Sequence, residues 1–169
     1  MTVSPLSSSS STDAARRRRI VFAGGFCAGK SSAINLLLRQ PLRRTDIISR
    51  PKPVQVIEQG ADDRIIAVGA DGSTQDVADE SMAWFGDRFS EVRRQTPLPQ
   101  LNGVEISEVQ SYDSDEWSDE ALRTFASADC MIWCTIGSQA WRLTEKNAME
   151  NARREFITTN ARDVRNLDF

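Results

Sequence analysis

Ile20-Val21-Phe22-Ala23-Gly24-Gly25-Phe26-Cys27-Ala28-Gly29-Lys30-Ser31-Ser32 passes from an apolar, strand-like stretch into a segment of helical character that runs from Ser32 to Arg39. Its centre, Gly24 to Ser31, reads G-x-x-x-x-G-K-S, a phosphate-binding loop with the strand before it and the helix after it that such a loop requires. Each residue type answers a physical demand. Gly24 and Gly29 can take backbone angles closed to other residues, so that successive amide N–H groups turn around a phosphate. Lys30 supplies a point charge for the β- and γ-phosphates, and the Ser31 hydroxyl is placed for a Mg²⁺ that bridges them. The positive end of the helix falls at the same spot. Gly24, Gly25, Phe26, Cys27, Ala28, Gly29, Lys30, Ser31 and Ser32 are therefore the candidate binding residues, Lys30 is a candidate catalytic residue, and Ser31 is a candidate metal ligand. A Gly-rich turn with a chance Gly-Lys-Ser is the alternative, and the flanking elements count against it.

The chain has 169 residues, enough for one α/β domain and short for two. Composition is ordinary for a folded chain, at 40% hydrophobic and 27% charged residues. The net charge of −3 argues against a surface built for nucleic acid, and no apolar run is long enough for a membrane-spanning helix. There is no histidine, which removes His general bases and His metal ligands together. Cys27 lies in the loop, while Cys130 and Cys134 bracket a strand-like run and read as small core residues. Without a C-x-x-C pair, this cysteine usage fits a reduced, cytoplasmic compartment.

Residues 1–17, with an unbroken row from Ser7 to Ser11, read as a disordered Ser/Arg-rich tail; 18–169 form the domain. Arg16 to Arg19 is either a solvated run or a contact for anionic lipid or nucleic acid. Ala33, Ile34, Leu37 and Leu38 form one apolar stripe, and Pro41 ends the helix. Leu42 to Pro53 is a loop. Val54–Glu58 and Ile65–Val68 are expected to pair as an antiparallel hairpin. Met82, Phe85, Phe89 and Val92 recur at helical spacing, which predicts an amphipathic helix over Asp79 to Arg94. Val104–Val109 reads as a strand. A helix carrying Trp117, Ala121, Leu122 and Phe125 follows, with Asp113, Ser114, Asp115 and Ser118 as candidate caps. Asp129–Ile136 is the best candidate for a central strand, and a final helix runs from Thr144 to about Phe156. Strands alternating with helices predict an α/β fold of the three-layer P-loop NTPase kind with a mostly parallel sheet. Ligands of such sheets bind at the carboxyl ends of the strands, which groups Gly24–Ser31, the Leu42–Pro53 loop and the loop after Val109 on one edge.

The run from Val21 to Leu38, V-F-A-G-G-F-C-A-G-K-S-S-A-I-N-L-L-L, resembles the first guanine-nucleotide motif of dynamin-like GTPases, and Asn35, Leu37 and Leu38 match beyond the generic loop. The resemblance covers about residues 18 to 157. It implies GTP and Mg²⁺ as ligands, and a mobile segment whose Ser or Thr closes on Mg²⁺ and the γ-phosphate. Ser49 is the positional match for that metal-binding and catalytic hydroxyl, with Thr45 the alternative. The D-x-P-G signature stands here as Glu108-Val109-Gln110-Ser111, so Glu108 becomes the third metal candidate through a bound water. Its longer side chain displaces that oxygen, and Ser111 cannot swing as glycine does. The base-reading N/T-K-x-D motif is not intact, since Asn160-Ala161-Arg162-Asp163 lacks the lysine.

The resemblance implies a guanine-nucleotide-binding domain with slow Mg²⁺-dependent GTP hydrolysis, incomplete at its C-terminal side. It implies pairing with a second copy or another GTPase, and membrane contact only through parts not in this chain or the basic tail. A nucleotide-binding module without turnover, and a P-loop ATPase or kinase, stand as the alternatives.

Overall fold

A computed structural model describes residues 17–43, 53–83, 88–110, 117–138 and 142–164, with the side chains of the last helix described through residue 158. Ten elements carry the architecture: β1 (Arg18–Gly24), α1 (Lys30–Leu38), β2 (Val54–Gln59), β3 (Arg64–Gly69), β4 (Thr74–Val77), β5 (Phe89–Thr96), β6 (Val104–Gln110), α2 (Asp119–Ala126), β7 (Cys130–Cys134) and α3 (Leu143–Val164). Short 3₁₀ turns lie at Glu80–Ala83 and Pro99–Leu101. The described strands form one sheet in the order β4-β3-β5-β2-β6-β1-β7.

The sheet is mixed, and this corrects the expectation of a mostly parallel one. β1 runs parallel to β6 and β7, and β2 parallel to β5. The pairs β2–β6, β3–β4 and β3–β5 are antiparallel. The expected β2–β3 hairpin does not close either, because β5 enters between the two strands. The link from β2 to β3 passes over the end of β5, where the Gly60 N–H donates to the Thr96 carbonyl at 3.0 Å.

Strand alternation divides the core between two faces. On one face Phe22, Ile57 and Ile106 pack with Ile34 and Leu38 of α1. On the other, Val21, Ala23, Val54, Val56 and Val109 pack with Ala121 and Phe125 of α2 and Ala152 of α3. Trp117 meets Phe125 edge-on at 4.9 Å between centroids and caps this second core. The apolar stripe on α1 is narrower than its spacing implies, since Leu37, one of its four members, is exposed.

The segment expected as a helix from Asp79 to Arg94 is instead a 3₁₀ turn followed by strand β5 among its described residues. Val92 and Phe89 join Ala67, Ala83, Ile65 and Val77 in a third small cluster. Tertiary burial between two strands overrides a local period shared by only four residues. β7 is an edge strand among the described residues and not a central one; Cys130 is exposed and is no core residue, whereas Cys134 is half-buried and packs against the core of Phe22, Ile34 and Ile106. Helix α3 runs on to Val164, which places the backbone of Asn160–Asp163 within a helix and not in a loop after a strand.

The arginine run also acquires a structural role. Arg17 Nη1 lies 2.6 Å from Glu58 Oε2 and Arg19 Nε 3.3 Å from Glu105 Oε1. Arg93 bridges Glu58, Glu105 and Glu91 across β2, β5 and β6. Only Arg18, 3.9 Å from Asp129 with a side chain 77% exposed, points largely to solvent. Arg16 and the rest of the tail lie outside the described residues.

Candidate functional site

β1 ends where α1 begins, and the five residues Gly25–Gly29 make the turn between them. Gly24 has φ of 143°, and a Cβ there would lie 2.1 Å from the carbonyl oxygen of Cys134, so the strand end can pass β7 only as glycine. Cys27 takes φ of 56° without being glycine, a left-handed conformation held by the turn around it. Gly29, at φ of 83°, is the N-cap of α1, and its carbonyl accepts the first helical bond from Ala33 at 2.9 Å. Inside the turn the Ala28 N–H donates to the Gly25 carbonyl at 3.3 Å.

Lys30 opens α1 and is only 4% exposed. Its Nζ donates to the carbonyls of Gly24 at 3.0 Å and Gly25 at 2.7 Å, which arches the side chain back over the mouth of the turn. Phe26 and Ala28 are half-buried, and Ser32 is exposed at the helix start. Burial pushes the Cys134 thiol up, with Lys30 opposing and Glu108 reinforcing the shift. That thiol stays protonated at neutral pH and is no nucleophile.

Parallel pairing of β1 with β6 carries Glu108 to this turn. Phe22 is in register with Glu108 and Gly24 with Gln110, so the ends of both strands share one edge. The Ser31 hydroxyl donates to Glu108 Oε1 at 2.8 Å and Oε2 at 3.1 Å. The two candidate metal ligands that lie within the described residues are thus brought together. Ser49 and its alternative Thr45 lie outside them, as does Ser111. Because β2 runs antiparallel to β6, Gln55 is paired with Glu108, and the end of the Leu42–Pro53 loop returns to the same edge.

Arg43, which no motif singled out, and Asn35, which matched the motif without an assigned role, complete the arrangement. Arg43, 4% exposed, donates from Nε and Nη2 to Glu108 Oε2, each at 3.2 Å, and from Nη1 to Glu80 Oε1 at 3.1 Å. Asn35 on α1 fixes the Arg43 backbone from both sides: its Oδ1 accepts the Arg43 N–H at 2.7 Å and its Nδ2 donates to the Arg43 carbonyl at 2.8 Å. Asn35 was the one available signal, since it matches the motif beyond the generic loop without an evident partner.

Gln55 and Gln110 each bury a side-chain amide nitrogen that has no hydrogen-bond partner among the described residues. Register sets one opposite Glu108 and the other beside Gly24. Buried donors left unpaired cost free energy, roughly 1–3 kcal/mol each, and an oxygen-rich anion at this edge would relieve it. The oxygen donors of Ser31 and Glu108 are also of the hard type that suits Mg²⁺. One oxygen of Glu108, however, already holds a guanidinium. Among the described residues no group of three or more His, Cys, Asp or Glu side chains could hold a metal ion by itself.

No protein-family model matches the chain, and no curated protein matches it. Solved structures do. One chain, described as part of an oligomerised bacterial dynamin pair that provides a mechanism for the long-range sensing and tethering of membranes, is similar with a TM-score of 0.65 at 12% identity. The match covers 91% of this chain and 37% of that one. A second chain under the same description matches at 18% identity over 74% of this chain and 22% of that one, with a TM-score of 0.49, too low to bear on the fold. The likeness is remote and concerns the fold, a mixed α/β domain of dynamin-like type. This chain spans well under half the length of the chains it resembles. No helix among the described residues is long and apolar enough to cross a membrane.

Proposed function

We propose that this chain is a guanine-nucleotide-binding domain of the P-loop NTPase fold that binds GTP with Mg²⁺ and hydrolyses it slowly. The observation that carries the reading is Lys30 arched over the Gly24–Gly29 turn at the end of β1, with Ser31 hydrogen-bonded to Glu108 at its side. The turn and the start of α1 would bind the β- and γ-phosphates through backbone N–H groups, and Lys30 would exchange its carbonyl partners for phosphate oxygens. Ser31 and Glu108 would hold Mg²⁺, Glu108 through water, and Ser49, which lies outside the described residues, is the third candidate ligand. Bound Mg²⁺ supplies neutralisation of the charge that develops as the γ-phosphoryl group leaves. Gln110 and Gln55 add amide donors at the same edge.

Slow turnover follows from what stands near the turn. Phe26 has no polar group with which to orient water, histidine is absent from the chain, and Glu-Val-Gln-Ser stands in place of D-x-P-G. The Arg43 contact on Glu108 favours the second reading, a module that holds nucleotide without turnover. Release of γ-phosphate, measured in single turnover with protein in excess, separates them. A P-loop ATPase or kinase is the third, and competition of ATP against labelled GTP decides it: ATP displacing GTP at equal concentration contradicts guanine preference. We infer a second copy or a related GTPase as partner, which the oligomerised pair among the similar structures supports, and a cytoplasmic setting; no nucleic acid is expected.

A further inference from the structure

We propose that Arg43 is a resident cation on Glu108 that competes with Mg²⁺, so that phosphate binding at Gly24–Ser31 depends less on divalent metal than it would beside a bare carboxylate. This rests on the nucleotide-binding reading above. Two nitrogens of the guanidinium lie 3.2 Å from Glu108 Oε2, and the third faces Glu80. Both members of the Arg43–Glu80 pair are nearly inaccessible, with side chains 3% and 4% exposed. Asn35 closes on the backbone of Arg43, so this charge is fixed at three points and not presented by a free side chain.

Electrostatics gives the consequence. An unpaired Glu108 would attract Mg²⁺ and repel a polyphosphate in its absence, which couples the two ligands tightly. With Arg43 in place Glu108 Oε2 is already engaged by a guanidinium at short range in a partly buried setting, where charges interact strongly, and because Glu80 shares that guanidinium the cluster of three keeps one negative charge. Both the attraction for metal and the repulsion of metal-free nucleotide are reduced. Metal and guanidinium then oppose each other at one acceptor, a negative coupling that a double comparison can read.

The test compares the affinity for labelled GTP in Mg²⁺ and in EDTA, for the wild-type chain and for the double variant Arg43→Gln/Glu80→Gln. That pair of changes removes one charge of each sign and leaves Glu108 free, which protects folding better than Arg43→Gln alone. Chelation is expected to weaken the double variant at least about 10-fold more than the wild type. Equal losses would overturn the proposal. A second measurement uses Mg²⁺ alone, without nucleotide. Added Mg²⁺ should leave the thermal midpoint of the wild type unchanged and raise that of the variant; an equal rise in both overturns it. Failure of the wild type to bind any nucleotide would refute the nucleotide reading, and the metal-only shift would still decide the role of Arg43.

Discussion

The side-chain amide of Asn35 closes a two-way hydrogen-bonded clamp on the backbone of Arg43, accepting at 2.7 Å and donating at 2.8 Å. Asn35→Ala removes both bonds and frees the segment that carries Arg43. The expected loss is about 1–3 kcal/mol of unfolding free energy, since each net bond is worth roughly 1 kcal/mol. A urea titration measures it, and an unchanged midpoint would show that the clamp does not hold the segment.

The second core can be probed through Phe125, which is fully buried against Trp117. Phe125→Ala should cost about 3–5 kcal/mol and shift tryptophan emission to the red as Trp117 gains water. A loss below about 1 kcal/mol would contradict the packing described for α2.

Arg18 and Arg19, neighbours in sequence on opposite faces of β1, differ in what their partners contribute. Glu105 is buried and meets both Arg19 and Arg93, whereas Arg18 is exposed. Glu105→Ala should destabilise by roughly 1–3 kcal/mol, because two guanidiniums lose a partner. Arg18→Ala should fall within about 0.5 kcal/mol of the wild type. Equal effects would refute the distinction.

Glu91 sets a pH dependence. Burial raises its carboxyl above the ordinary glutamate value of 4.5, with Arg93 opposing the shift. A raised value means that the folded chain holds this proton more tightly than the unfolded one. The stabilising contribution is present below pH 4.5 and is lost as pH rises through the folded-state value. Glu91→Gln does not titrate, so the stability of the variant relative to the wild type should climb as pH rises from 4.5 toward neutrality. Thermal midpoints at several pH values check this, and a constant difference would contradict it.

Most elements were legible because local pattern and burial agree. Val54–Glu58, Val104–Val109 and the Gly24–Ser31 turn lie where their patterns put them, and Ser118 caps α2 by accepting from the Ala121 N–H at 3.2 Å. The failures came where long-range placement outweighs local pattern. β5 looks helical by spacing but is a strand that pairs with β2 on one side and β3 on the other, partners distant in sequence that local spacing does not reveal. Cys130–Cys134 reads as central by its apolar run, yet it borders the described sheet. The site divides in the same way. Its glycines, lysine and serine follow from a contiguous motif, but Arg43 is 65 residues from Glu108 and 37 from Glu80. Nothing in a polar, basic segment marks one arginine for burial.

The most direct measurement is titration of fluorescent GTP in Mg²⁺ against the wild-type chain and Lys30→Ala, with thermal unfolding as a check that both are folded. A charge-assisted contact from Lys30 to phosphate would be worth roughly 1.5–3 kcal/mol, so on this proposal the variant should bind at least about 10-fold more weakly at a similar thermal midpoint. Affinity unchanged by the loss of Lys30 would contradict the central claim that the turn between β1 and α1 grips a nucleotide phosphate.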